Sequence, residues 1–411
     1  MLFNRAQKAQ RDRSPAPDET RSAPPLSRPS LPSFGFLSPG TPIWTDTGYA
    51  SLARQAYCRN PVAYRSVRLV ADAAASVPLV LRGREHEYTD HWLLDLISQP
   101  GSHLSRTALI ETIVAHLMLE GNAYLLGAFH EEKPCELYPL RPDRVRVVAG
   151  KDGWPAGYRY SAGETSVEFK PDPRTGMMPV AHIRLFHPLD DHYGLGCLEP
   201  ARAAIDLHQG ANSWNKALLD NAARPSGALV YTGGTGHLDA EMFERLKSEL
   251  QSTYQGGENA GRPLLLEGGL EWKPMSLSPK EMDFFEARHG AMREIALAFG
   301  VPPLLLGLPG DNTYANFAEA QRALWRQTVL PLLGRVLDGL THWLAPLSPS
   351  ERLELRPDLD AIEALSVERE ALWRRVAAAD FLTDAEKRQA VGYGAVPASA
   401  EADREHEQTL D

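Results

Sequence analysis

The sequence predicts an α+β fold, and three observations predict it. Segments around 57–71, 104–119, 198–221 and 279–299 space their apolar residues at helical intervals. Short β-type runs separated by Gly and Pro turns cluster between 123 and 186. Two long helices enclose a small insert that itself alternates strand and helix. The 411 residues are enough for two to three domains, and 43% hydrophobic with 23% charged residues is an ordinary globular balance.

Residues 1–45 hold seven prolines in the first forty positions, with six basic against three acidic residues. Such a segment buries too little apolar area to offset its ordering entropy, so a flexible arm is expected. Tyr57, Val62, Tyr64, Val67, Val70 and Ala71 then approximate helical spacing up to Val77, which precedes Pro78 and is therefore disfavoured in a helix. A short strand, Leu79 to Arg82, is expected next. Leu104 to Leu119 is a cleaner helix, with Ser105 as cap and Leu109, Ile113, Val114 and Leu117 on one side, stopped by Gly121-Asn122. Strands are expected at Ala123 to Phe129, Val145 to Val148, Tyr158 to Tyr160 and Ile183 to Phe186.

Leu198 to Asn221 reads as a long helix with Pro200 tolerated in its first turn, spanning roughly 36 Å. The insert follows: strand Ala228 to Tyr231, a Gly-rich turn, helix Asp239 to Tyr254, and strands near Leu264 to Leu266 and Glu271 to Pro274. A second long helix, from Pro279 to Phe299, spans roughly 31 Å. A loop rich in Pro, Gly and Leu leads to a third long helix, about Thr313 to Leu344, which Pro331 should kink. From Ser350 onwards the chain carries fifteen acidic and eight basic residues and is expected to form an acidic helical appendage: Ile362, Leu365, Leu372 and Val376 share one helical face, and Leu382-Thr383-Asp384 opens another helix.

Formal net charge is −10, the wrong sign for a protein that holds nucleic acid by neutralising phosphates. Cys58, Cys135 and Cys197 are few, odd in number and far apart, which excludes a disulfide framework and paired-cysteine metal motifs. The N-terminus lacks the apolar run of a signal peptide, and the longest uncharged stretch, Ile295 to Gly310, is too short for a membrane span and is broken by Pro302 and Pro303.

The catalytic tests return nothing: no residue is assigned to catalysis, cofactor binding or metal ligation. Gly233-Gly234-Thr235-Gly236 is followed by His237 and Leu238, so the lysine of a phosphate-binding loop is missing. His182, His187 and His192 recur every five residues beside Asp190 and Asp191, a spacing that scatters them around a helix and alternates them across a strand. Asp358 and Asp360 suit two-metal nuclease chemistry in type, but no further acidic cluster accompanies them, and a solvated charged face is the plainer reading. Trp325 and Trp343 read as packing residues.

Several ordered motifs carry a family resemblance. They are Gly194-Leu195-Gly196-Cys197-Leu198-Glu199-Pro200-Ala201, Asn221-Ala222-Ala223-Arg224-Pro225, Gly261-Arg262-Pro263, Met275-Ser276-Leu277-Ser278-Pro279, Phe299-Gly300-Val301-Pro302-Pro303, Asn312-Thr313-Tyr314 and Phe381-Leu382-Thr383-Asp384. In this order the chain resembles the portal proteins of tailed bacteriophages, in the long-tailed-phage branch, from about residue 50 to 397. The opening Trp44-Thr45-Asp46-Thr47-Gly48-Tyr49 also resembles portals of gene transfer agents.

The resemblance implies a ring, expected to be a dodecamer, at one capsid vertex of a virion or virus-like particle assembled in a bacterial cytoplasm. Double-stranded DNA would pass through it during packaging and ejection. It would dock a large terminase, the major capsid protein and head-completion or adaptor proteins, with no membrane, cofactor or enzymatic activity. The implied division is an arm at 1–45, a wing at 46–196, stem helices at 197–224 and 279–301, a clip at 225–278, a tunnel loop at 302–313, a kinked helix returning to the wing at 314–349, and an acidic crown and tail at 350–411. Leu308, Pro309, Gly310, Asp311, Asn312 and Thr313 form the implied DNA-facing tip of the tunnel loop. The alternatives on the residues alone are a monomeric acidic adaptor or scaffold and a metal-dependent hydrolase or nuclease.

Overall fold

The computed structural model describes residues 49–394, apart from 84–85, 131–132, 221–226, 232–239, 255–269, 275–283, 309–312 and 351. The expected arm, the Gly233–Gly236 turn, the strand near Leu264 and most of the tunnel-loop tip lie outside the described residues.

A short helix α1 (Tyr49–Leu52) runs through a π turn (Ala53–Tyr57) to α2 (Pro61–Ser76). Asn60 starts α2: its side-chain oxygen accepts from the Val62 and Ala63 amides at 3.0 and 3.3 Å, with Pro61 pre-set in the first turn. The face Val62, Ala63, Ser66, Val67, Val70, Ala71 and Ala74 is buried against α4 (Arg106–Glu120). Ser105 caps α4 as expected, accepting from Ala108 at 3.2 Å, and Gly121 closes it with φ +82°. The short α3 (Trp92–Ser98) lies between them in sequence.

Among the described residues, four small antiparallel sheets complete the α+β architecture. One has the order β4 (Lys133–Leu140), β3 (Asn122–His130), β8 (Val180–Arg184), and another the order β5 (Val145–Ala149), β6 (Pro155–Ala162), β7 (Thr165–Phe169). Tyr124, Leu140, Val145, Tyr158 and Val180 form a satellite core shared by these two sheets. Sequence periodicity missed β4 and β7. It also shifted β8 by three residues: Leu185 leaves the sheet to bond Gly121, and Phe186 is 78% exposed.

The helix α5 (Leu198–Asp220) packs against α7 (Phe284–Ala298), and between them in sequence come β9 (Gly227–Tyr231), α6 (Ala240–Tyr254) and β10 (Leu270–Pro274), with β9 and β10 paired. The third long helix is two helices, α8 (Tyr314–Leu324) and α9 (Leu330–Leu344), joined by a π turn at Trp325–Val329. Pro331 supplies the reason: it has no amide hydrogen to give Gln327, and the Leu330 amide bonds Trp325 instead, one residue further back than in an α-helix. Leu333, Val336, Leu337, Leu340 and Leu344 of α9 are buried, each contributing on the order of 1.5–3 kcal/mol relative to exposure.

The tail departs from a purely helical appendage. Glu354–Pro357 form β11, which pairs with β1 (Leu79–Arg82), and β1 pairs in turn with β2 (Glu87–Tyr88). Leu355 faces Leu81 in this register and both are buried, as are Ile362 and Leu365. The alternation Leu353-Glu354-Leu355-Arg356 carries the period of two that marks a half-buried strand. Helices α10 (Ser366–Ala377) and α11 (Asp384–Val391) follow, the latter opened by a full capping box between Thr383 and Glu386. Among the described residues no helix is long and apolar enough to cross a membrane.

Candidate functional site

The glycines of the Gly194-Leu195-Gly196 motif sit where backbone meets backbone. A side chain added at Gly194 would lie 2.1 Å from the Gly121 carbonyl, and one at Gly196 would lie 2.6 Å from that of Leu119. The closeness serves the end of α4, whose last carbonyls need donors: Leu185 N–H bonds Gly121 O and Cys197 N–H bonds Met118 O, both at 2.8 Å. Asn122, 2% exposed, locks the crossing. Its oxygen accepts from Gly194 N–H at 2.7 Å and lies 3.0 Å from His182 Nε2, while its amide donates to the carbonyls of Gly194 and Glu120. The chain leaves this clasp directly into α5, so the β3 region and the long helix are mechanically joined.

A second clasp joins α5 to α2. Asn60, besides capping α2, donates its amide to Nδ1 of His208 at 3.2 Å, and both residues are 1% exposed. Gln209 donates to the Gln55 carbonyl.

The frame of the loop between α7 and α8 is equally fixed. Phe299 and Val301 are buried, and Gly300 between them adopts φ +64°, which lets the chain reverse at the end of α7. Thr328, in the π turn, donates its hydroxyl to Gly300 O at 2.6 Å. A 3₁₀ turn at Pro303–Leu306 ends at Gly307, and Leu308 N–H bonds Pro303 O at 3.2 Å. Leu308, expected at a DNA-facing tip, is instead 8% exposed within the main core and anchors the loop. Thr313 is exposed and caps α8 by accepting from Asn316 N–H at 3.2 Å. Pro309, Gly310, Asp311 and Asn312 lie outside the described residues, bounded by these two anchors. Asp311 is the sole ionisable residue of the six.

The residues tested for catalysis take structural positions. His182 stacks on Tyr124 with ring centroids 4.3 Å apart, and burial, helped by Arg184 and His192, drives its pKa down to about 3. His187 accepts from Leu189 N–H through Nδ1, and Asp190 accepts from the amides of His192 and Tyr193, which lowers its pKa. Among the described residues no group of three His, Cys, Asp or Glu side chains could hold a metal ion. Asp360 is not a solvated charge: Arg369 grips it through two bonds of 2.5 and 2.9 Å, and Tyr393 and Trp373 donate to it as well. Trp343 packs edge-on to Phe129 and donates its indole N–H to Met178 O.

Sequence reasoning missed Asn122, Thr328 and Asp360 as fastening points. Asn122 alone carried a local signal, sitting in the helix stop Gly121-Asn122.

A family model described as phage portal protein matches residues 61–392. The chain is 28% identical over 326 residues to the probable portal protein of Streptomyces phage phiC31, covering 75% of this chain and 69% of that one. Among solved structures it is similar to a chain in the neck of an empty gene transfer agent particle computed with C6 symmetry, with TM-score 0.67 and 49% identity over 87% of this chain and 96% of that one. A native particle's neck computed with C12 symmetry holds a similar chain, with TM-score 0.64 and 48% identity over the same shares.

Proposed function

The chain belongs to the phage portal protein family, and from that premise we propose that twelve copies close into a ring at one vertex of a virus-like particle, through which double-stranded DNA enters and leaves. The single observation that carries the ring is the 48% identity to a chain in a gene transfer agent neck computed with twelve-fold symmetry. The contact between α5 and α7, with the small β9-α6-β10 insert between them in sequence, supports reading residues 197–224 and 279–301 as stem and 225–278 as clip. Residues 46–196 with the returning helices would form the wing, and 350–411 the crown, bound to the wing through the pairing of β11 with β1.

The charge fits a conduit. A lumen of Lys and Arg would release counterions and hold DNA in place, whereas an acidic or neutral wall lets it slide. Of the net −10, residues 350–411 contribute −7, so the acidity is concentrated on the proposed crown. Energy for DNA movement would come from a separate terminase motor docked at the clip, with head-completion proteins and the major capsid protein as the other neighbours. The likeness to a chain within a particle neck does not favour a monomeric adaptor.

Sedimentation velocity on the purified chain, run over a wide concentration range, tests the reading. A discrete ring-sized species is expected; a monomer at every concentration would contradict it.

A further inference from the structure

From Tyr49 to Ala71 the chain carries no acidic residue and four arginines, Arg54, Arg59, Arg65 and Arg68, in a molecule whose formal net charge is −10. The fold sets this run on one surface. Pro61, Tyr64, Arg65 and Arg68 follow at intervals of three and four on the side of α2 away from its buried face, so they share one solvent-facing stripe. The π turn joins the same surface: the ring of Tyr57 lies 5.2 Å from that of Tyr64, which is 47% exposed. Arg68 is taken by Asp72 and Glu111, at 3.1 and 2.8 Å, and marks the acidic limit of the surface. Among the described residues Arg59 donates to the neutral side-chain oxygen of Gln55, at 2.9 Å, while Arg54 and Arg65 have no ion pair. All three are exposed.

Three uncompensated guanidinium groups beside two tyrosines call for an anionic partner, and the make-up of the surface says which kind. The core of a protein interface is depleted of charge, whereas a nucleic-acid interface is polar and strongly positive. The exposed residues between 53 and 68 are Arg54, Cys58, Arg59, Pro61, Tyr64 and Arg65, with both valines of that stretch buried. Guanidinium forks match phosphate oxygens in two-point contacts, and tyrosine hydroxyls donate to the same backbone. Asn60 already accepts from the first amides of α2, so recognition rests on side chains and not on the helix end. We propose that Arg54, Arg59 and Arg65, flanked by Tyr57 and Tyr64, bind the phosphate backbone of double-stranded DNA without regard to sequence. The proposal rests on the portal reading for the identity of the polymer; the contact itself needs no ring. It is a light contact: three phosphates per subunit give a slope of log affinity against log salt of about −2.7, roughly a fortyfold loss between 50 and 200 mM. Such a surface orients DNA without clamping it, in keeping with the acidic remainder of the chain.

Fluorescence anisotropy of a labelled duplex against the full chain, across that range of salt, tests it. The natural chain should bind with a slope at least this steep, and equally well to a second duplex of unrelated sequence. The triple variant Arg54→Gln, Arg59→Gln, Arg65→Gln should lose at least about tenfold in affinity at low salt, and most of the slope, while keeping the natural circular dichroism spectrum. Should the triple variant fail to fold, Arg65→Gln alone, on the exposed stripe of α2, should make the slope shallower by about one. A control triple, Arg335→Gln, Arg374→Gln, Arg375→Gln, removes the same charge from exposed positions on α9 and α10 and should bind as the natural chain does. Equal losses in the two triple variants, full binding by the first, or no binding by the natural chain at low salt would each overturn the proposal. Poly-glutamate bound more tightly than the duplex, with the same dependence on these arginines, would assign the surface to an acidic protein and overturn it as well. Sedimentation of the same samples separates this surface from the portal reading. Rings that do not bind DNA through these arginines remove the surface alone, whereas a chain that binds DNA through them but never forms rings removes the ring and leaves the surface.

Discussion

Thr328 holds the carbonyl of Gly300 at 2.6 Å, so the π turn made necessary by Pro331 is tied to the end of α7 at the point where the chain turns toward the loop. Removing the hydroxyl while keeping the shape, in Thr328→Val, should cost about 1 kcal/mol, as a single net hydrogen bond does. Gly300→Ala should cost more, because φ +64° is strained for any side chain and the new carbon would lie 2.7 Å from the Thr328 hydroxyl. Adding Thr328→Ala to Gly300→Ala should recover the steric part only. Urea denaturation of the four proteins reads these differences; equal midpoints for Gly300→Ala and the natural chain would refute the account of this turn.

Asp360→Asn should loosen the tail selectively. It removes the carboxylate that Arg369 grips while leaving that guanidinium, 14% exposed, bonded to Val391 O. A cost of about 2 kcal/mol is expected, below that of a fully buried pair because both partners retain some solvent. Hydrogen exchange should accelerate in α10 and α11 while α2 and α4 stay protected. Uniform acceleration, or none, would contradict the role of Asp360 as a local fastener.

Glu120 and His116 give the chain opposing pH dependences. Burial, and then the charge of Asp143, push Glu120 up to about 7, above the unfolded carboxyl, so the native state holds a proton that the unfolded chain has lost. Its contribution is present at low pH and is lost as pH rises from about 4.5 to 7. Burial lowers His116 to about 4, so its contribution has the opposite sign and grows as pH rises from 4 toward 6.5. Glu120→Gln should therefore raise stability at pH 8 by at most about 3 kcal/mol, with little change at pH 4.5. Melting curves across that range check the sign, and a variant less stable than the natural chain at pH 8 would contradict it.

Replacement of residues 309–312 by a Gly-Ser linker, leaving the buried Leu308 and the capping Thr313 in place, should give intact rings with impaired DNA packaging or retention. Unchanged packaging would rule out the tip as a DNA contact.

What the sequence revealed depended on how local the cause was. Ser105, Gly121, Thr383 and Pro331 act within one helical turn, and their consequences were readable from spacing and residue type. The resemblance motifs acquire a physical reason only in three dimensions: Gly194 and Gly196 are small because α4 ends against them, residues more than seventy positions earlier. The pairing of β1 with β11 joins segments that composition assigned to different modules, and no periodicity announces a partner nearly 280 residues away. The burial of Leu308 is illegible for the same reason, since a loop-like neighbourhood of Pro and Gly hides a side chain that the core accepts. Asp360 looked solvated because Arg369, Trp373 and Tyr393 converge on it only after α10 and α11 fold back.

The central claim is the ring, and electron microscopy of the purified full-length chain addresses it most directly. Class averages viewed down the axis should show closed rings with twelve-fold symmetry and an open centre, at a mass twelve times that of the 45.3 kDa subunit. Single subunits, or closed two-fold dimers without a central opening, under all conditions that keep the chain folded would contradict the account.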